Sequence, residues 1–252
     1  MSLLRVEDLS KSFGGVDAIA DLGFEVKPNT IHSVIGPNGA GKTTLFNLIT
    51  ALYTPTSGKI FLDDREITGM APHALARLGM SRTFQNLQIC MNMTALENVM
   101  VGRHLHLNTS FLAAMLRLAN VVRGDRGCRE KAAELMAFVG IGDYVRTDAN
   151  SMPYGALKRL EIARALAAEP RILLLDEPAA GLNTKETAEI DELIQNIAET
   201  GVTIVLVEHD MQLVMNISNY LLVLNFGKKL AEGTPEEIRA NPQVVAAYLG
   251  AA

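Results

Sequence analysis

The stretch Gly36-Pro37-Asn38-Gly39-Ala40-Gly41-Lys42-Thr43-Thr44 follows the apolar residues Ile31, Val34 and Ile35 and precedes Leu45, Leu48, Ile49 and Leu52 at helical spacing. It predicts a strand, a glycine loop and a helix in the pattern G-x-x-x-x-G-K-[ST]. Glycines let the backbone turn through positive φ and line up successive N–H groups, and the helix that starts there directs its positive end at the same point. A polyphosphate is the ligand such a loop fits. Lys42 then reaches the β and γ phosphates, and the Thr43 hydroxyl is a ligand for Mg²⁺.

Working outward, a chain of 252 residues with 48 % hydrophobic and 20 % charged residues has globular composition, which argues against bulk disorder. The net charge of -5 and the absence of a basic stripe exclude a nucleic-acid coat, so no nucleic-acid partner is expected. The longest apolar runs, such as Phe111 to Leu116 and Ile172 to Leu175, are too short to span a bilayer. The first residues show no cleavable apolar core, so no signal peptide is expected. Cys90 and Cys128 are far apart, which suits a reduced compartment.

Residues 3 to 26 alternate apolar and polar around Gly14-Gly15 and predict an antiparallel pair of strands; Gly58 to Asp64 predicts another, and Met80 to Phe84 a further strand ending in Gln85. Phe13, just before the glycine turn, is either a stacking platform for a base or an ordinary strand-end aromatic. Gln85 is either a ligand contact at a strand tip or a solvated loop residue. From about 86 to 150 helical periodicity takes over: Thr94 with Glu97 forms a capping box, a second helix is expected over Ser110 to Val121, and a third over Arg126 to Val139. Met91, Met93 and Met100 there serve as core filler or as an adaptable docking surface.

Ser151 to Pro170 reads as a glycine loop leading into a helix, a second potential anion site. Ile172 to Leu175 predicts a buried parallel strand with Asp176 and Glu177 at its carboxyl end. Two adjacent carboxylates at such a tip are costly without a partner, and a magnesium nucleotide would supply one. In that reading Asp176 holds the metal through water and Glu177 polarises the attacking water; the alternative is that the pair caps the next helix. A helix over Thr184 to Glu199 buries Ile190, Leu193, Ile194 and Ile197, and the strand Val202 to Val207 ends at Glu208-His209. His209 at that tip either senses the γ phosphate or is structural. A hairpin turning at Asn225-Phe226-Gly227 and two capped helices, opened by Thr234-Pro235 and Asn241-Pro242, complete the chain.

This ordered set resembles the ATP-binding subunits of ABC transporters along nearly the whole chain. More narrowly, Met152 to Gly155, the Leu160 to Arg164 run, Pro178-Ala179-Ala180-Gly181-Leu182-Asn183 and the tail resemble the branched-chain amino acid uptake (LivG-type) group. The resemblance implies an α/β fold: a P-loop NTPase core with a mostly parallel sheet, an N-terminal antiparallel β subdomain and an inserted helical subdomain. Core and β subdomain would span 1–85 and 151–252, and the helical subdomain 86–150.

It also implies roles. Phe13 would stack on adenine beside Val16, and Gly36 to Thr44 would wrap the phosphates. Gln85 would contact Mg²⁺ and the attacking water. Glu177 would be the general base, and His209 would secure the γ phosphate. Such subunits pair head to tail, so that the signature loop, here Met152, Pro153, Tyr154 and Gly155, covers ATP held by the partner. The pair would serve two membrane permease subunits on the cytoplasmic face of the inner membrane, with an external solute-binding protein as an indirect partner.

Two departures stand out. The signature loop lacks the usual serine and glutamine, and Pro153 has neither an N–H nor a hydroxyl. Asn183 replaces a more usual aspartate. The rival readings are an ABC ATPase of another system and a nucleotide-dependent dimerisation switch that scarcely hydrolyses.

Overall fold

The computed structural model describes residues 2–106 and 119–249. Two sheets organise it. Strands β1 (Leu4–Phe13), β2 (Val16–Val26), β4 (Ser57–Leu62) and β5 (Arg65–Glu66) form an antiparallel sheet in the order β2-β1-β4-β5. The second sheet runs β10 (Lys228–Gly233), β9 (Tyr220–Asn225), β3 (Ile31–Ile35), β8 (Thr203–Val207), β7 (Ile172–Asp176) and β6 (Met80–Arg82). Its strands are parallel apart from β10, which pairs antiparallel with β9 as the predicted hairpin.

Strands β7 and β8 are buried along their whole length because both faces of the sheet are covered. In β7, Leu173 and Leu175 enter one core cluster while Ile172 and Leu174 enter the other, and β8 and β9 alternate in the same way. Helix α1 (Lys42–Ile49) packs Leu45, Phe46, Leu48 and Ile49 into the cluster shared with the antiparallel sheet. On the opposite face lie α5 (Tyr154–Leu166) and α6 (Thr184–Glu199), the latter burying the four residues its periodicity predicted.

Between β6 and α5 the described elements are helical: α3 (Ala95–Gly102) and α4 (Ala119–Phe138). Thr94 and Glu97 make the expected capping box. The helix expected over Ser110 to Val121 falls mostly outside the described residues. The break expected before Arg126 is absent, since α4 runs unbroken through Gly124 and Gly127. A helical glycine costs about 1 kcal/mol relative to alanine, and here the buried stripe Cys128, Ala132 and Met136 offsets it. Ala132 and Met136 of that stripe join the same cluster as Leu160 and Ala163 of α5, so the helical segment shares its core with the sheet.

One buried polar group has no role in the chemistry below. His32 on β3 is 1 % exposed, lies between Phe24 and Tyr220, and has no hydrogen-bond partner on either ring nitrogen. Burial pushes its imidazole down to about 4. The unfolded chain therefore binds the extra proton first, and stability drains away as pH falls from 6.5 towards 4. Between pH 7 and pH 5 this amounts to about 2 kcal/mol. His32→Leu is expected to remove that increment, read as the change in urea midpoint between the two pH values; an unchanged pH slope would mean the imidazole is solvated.

Candidate active site

The parallel order brings the carboxyl ends of β3, β8, β7 and β6 to one edge of the sheet, where open α/β sheets hold ligands. β3 runs into the glycine loop. Close packing explains its glycines: a Cβ on Gly36 would lie 2.3 Å from the Leu224 carbonyl oxygen, and one on Gly41, at φ +104°, would lie 2.6 Å from that of Ala18. The β9–β10 turn braces the loop from outside, with the Gly227 N–H donating to Ala40 O at 3.0 Å and the Ala20 N–H to Gly227 O at 2.9 Å. Gly41 caps α1 without a side-chain bond, and the first intrahelical donor after it is the Leu45 N–H. The N–H groups of Lys42, Thr43 and Thr44 thus begin the helix as an anion-binding end.

Lys42 is buried, and its Nζ donates to Gly36 O at 2.6 Å and Pro37 O at 3.1 Å. Burial lowers its pKa, while the charges of Glu177 and Asp176 oppose the shift. Those carboxylates leave the end of β7. Glu177 adopts the left-handed conformation, φ +49°, unusual for a residue with a long side chain. Its N–H donates to Val207 O at 2.9 Å, and its Oε2 accepts from Gln85 Nε2 at 3.1 Å. His209, beyond β8, has Nδ1 3.9 Å from Glu177 Oε1 and 3.8 Å from Glu208 Oε2. Buried Glu208 accepts the N–H groups of Ala179 and His209 and has its pKa raised by burial. Four separate segments therefore bring Lys42, Gln85, Glu177 and His209 together.

Sequence reasoning missed the partner of Asp176. Burial pushes this carboxyl up, and Arg82 pulls it back: the guanidinium Nη2 donates to Asp176 Oδ2 at 2.8 Å. The other guanidinium nitrogen, Nη1, donates to Asn47 Oδ1 at 2.7 Å and Thr50 Oγ1 at 2.9 Å, tying the acidic tip to the end of α1. Asp176 thus has a cationic partner within the chain, one that the sequence reading did not supply. The signal, an arginine three residues before Gln85, is meaningless until β6 is known to neighbour β7. The donor types still suit Mg²⁺, since the exposed Thr43 hydroxyl, Asp176 Oδ1 and the Gln85 side-chain oxygen are hard oxygens.

Phe13 is 44 % exposed, held edge-on by Tyr53 with ring centroids 5.4 Å apart and with Lys11 Nζ 4.9 Å from its ring centre. Val16 is also exposed. Both lie at the turn that leads into the β2 residues packed on Gly41.

The Met152–Gly155 segment is a helix start rather than a loop. Pro153 caps α5, and Tyr154 and Gly155 already belong to its first turn. The Met152 side chain is buried in the core, so within the segment only Pro153, Tyr154 and Gly155 present side-chain or Cα surface outward. Tyr154 Oη donates to Ala180 O at 3.4 Å, and a Cβ on Gly155 would lie 2.7 Å from Glu186 Oε1. Among the described residues no hydrogen bond links this segment to Gly36–Thr44. Asn183 caps α6 in a box with Glu186.

Comparison with known proteins agrees with this geometry. The ABC transporter family model matches residues 19–180, and a branched-chain amino acid ATP-binding cassette transporter model matches residues 228–252. The chain is 48 % identical over 251 residues to the high-affinity branched-chain amino acid transport ATP-binding protein BraF of Pseudomonas aeruginosa, covering 99 % of this chain and 98 % of that one. It is 45 % identical to LivG of Escherichia coli K12 over the same shares. The crystal structure of the ADP conformation of MJ1267, an ATP-binding cassette of an ABC transporter, superposes with a TM-score of 0.86 at 30 % identity, covering 99 % of each chain. With a family model spanning more than half of its residues and relatives matched end to end, the chain belongs to the ABC transporter family of ATP-binding cassettes.

Proposed function

We propose that this ATPase powers the import of branched-chain amino acids through separate membrane subunits. The observation that carries the reading is the convergence of Lys42, Gln85, Glu177 and His209 at the mouth of the glycine loop, in a chain so similar to BraF and LivG. ATP binds with its phosphates on Gly36 to Thr44 and its base beside Phe13 and Val16. Lys42 exchanges its carbonyl partners for phosphate oxygens. Glu177 accepts a proton from water as the oxygen attacks the γ phosphorus and the bond to ADP breaks. Gln85 orients that water and His209 secures the γ phosphate. Thr43, Gln85 and, through water, Asp176 would hold Mg²⁺, which when bound would neutralise phosphate charge.

A second ABC ATPase subunit completes the enclosure, its Pro153, Tyr154 and Gly155 facing the nucleotide across the interface. The solvent-facing Tyr154 and the start of α5, where Pro153 supplies no side-chain cap bond, support this. Because ATP then bridges two surfaces, the closed pair is favoured with ATP and released by hydrolysis, and that differential affinity drives transport. Two permease subunits receive the motion at a mainly apolar groove of about 330 Å³ between the core and the 86–150 lobe, lined by Leu52, Leu75, Val101, Leu105 and Ala165. Attachment is peripheral, on the cytoplasmic face: among the described residues no helix is long and apolar enough to cross a membrane. An external solute-binding protein delivers the amino acid.

The test is leucine uptake by vesicles carrying the complete transporter, with this chain as parent or as Lys42→Ala. Uptake is expected to require ATP inside and to stop in the variant, whereas ATP turnover without leucine transport would move the cargo elsewhere.

A further inference from the structure

Two charged side chains on α5 are buried without serving the chemistry above: Lys158, 2 % exposed, and Glu161, 3 % exposed. Lys158 Nζ donates to the main-chain oxygens of Gln85 at 3.5 Å and Glu177 at 3.3 Å. One helical turn on, Glu161 Oε1 accepts the N–H groups of Phe84 at 3.3 Å and Gln88 at 3.4 Å. Burial raises the Glu161 pKa, opposed by those N–H groups and by the charges of Arg164 and Lys158. The same face of α5 thus grips the 84–88 loop at both ends and also holds the carbonyl behind Glu177.

Burying an ammonium is expensive, and an apolar side chain of similar length would fill this space more cheaply. Among the described residues Lys158 forms no ion pair within 4 Å; its hydrogen-bond partners are those two carbonyls, and the Tyr154 ring lies 5.8 Å from its Nζ. They belong to the two residues whose side chains meet at 3.1 Å. Glu177 needs the hold more than most, because its left-handed backbone relaxes readily to the ordinary region unless its surroundings over-determine it.

We propose that Lys158 is a positioning residue for hydrolysis: one ammonium, clamped on the Gln85 and Glu177 carbonyls, fixes the two side chains that flank the attacking water relative to each other. It does so from the helix whose first turn carries Tyr154 and Gly155, and Glu161 holds the loop on either side of Gln85, at Phe84 and Gln88. The clamp therefore links the nucleotide a subunit holds to the surface it offers its partner. This rests on the assignment of Glu177 as base and Gln85 as water-orienting group.

The experiment compares the assembled transporter carrying Lys158→Met, Lys158→Arg or Lys158→Gln with the parent, reading kcat, KM and ATP affinity. A misplacement of the reacting groups by about 1 Å costs up to about a hundredfold. Lys158→Met is expected to lower kcat by about tenfold or more with KM and ATP affinity within about twofold, and Lys158→Arg, which keeps charge and donors, to restore kcat to within about threefold. Should Lys158→Met fail to fold, Lys158→Gln takes its place under the same criteria. A kcat within about twofold of the parent, or a fall in kcat matched by an equal loss of ATP affinity, would overturn the proposal. Adding Lys158→Met to Glu177→Gln is expected to change the residual rate little, since the group being positioned is already disabled; a further tenfold loss would place the lysine's action elsewhere. If Glu177→Gln alone keeps the parent rate, the base assignment is what fails.

Discussion

Glu177→Gln is expected to bind ATP with the parent's affinity while hydrolysis falls by about two to four orders of magnitude. The change removes one proton-accepting oxygen and almost no volume. The Glu177 N–H still donates to Val207 O, its carbonyl still accepts from Lys158, and the amide can turn its remaining oxygen towards Gln85 Nε2. Nothing in the glycine loop is touched, and neither Lys42 hydrogen bond involves Glu177. Binding and chemistry therefore separate: the variant should accumulate as an ATP-bound pair, visible as a dimer in size-exclusion chromatography with ATP and Mg²⁺. Turnover close to the parent's would remove Glu177 from the mechanism and revive the rival in which this chain is a nucleotide switch.

The second large effect is on stability. Arg82→Ala leaves Asp176 buried without its cation and deprives Asn47 and Thr50 of a shared donor. Breaking a buried ion pair from one side costs about 3–5 kcal/mol, whereas exposed pairs such as Lys59–Glu66 are worth well under about 1 kcal/mol. The sign with pH follows from Asp176. Its carboxyl is already raised by burial, and the Arg82 guanidinium is the strongest influence that lowers it. Without the arginine it rises further. A carboxylate raised in the folded state destabilises the fold at high pH, where it must be charged, and stops doing so once protonated. The deficit of Arg82→Ala relative to the parent is therefore expected to be largest near pH 8 and to shrink as the medium is acidified through the raised pKa. Urea unfolding across that range checks it. A deficit below about 1 kcal/mol at pH 8, or one that grows in acid, would show that Asp176 does not depend on Arg82.

The two effects lie at different distances from what a linear reading sees. Glu177 follows four apolar residues and an aspartate, a pattern that announces a buried strand with acid at its tip wherever it folds. Arg82 looks like any polar residue near a strand end. Its meaning comes from the parallel pairing of β6 with β7, which sets Arg82 beside Leu174 and brings it to Asp176, 94 positions away. Lys158 reads as the polar side of an ordinary helix, and it becomes a buried clamp only because the Gln85 loop and the acidic tip close over it. The same limit explains α4, read as a helix that starts at Arg126 and found to run unbroken from Ala119, with Ala132 and Met136 buried in the shared core.

What the amino-acid order determined alone was everything decided within a turn or two of backbone: the strand, glycine loop and helix at Gly36 to Thr44, the two-sided burial of β7 and β8, the caps at Thr94 and Thr234, and the residue types that handle a triphosphate. Steric freedom, hydrophobic period and unsatisfied helix ends are local properties, so a one-dimensional pattern records them. Only the tertiary structure decided which charges meet. The free energy of a buried ion depends on the few ångströms around it, and those neighbours are assembled from strands that chain order leaves far apart.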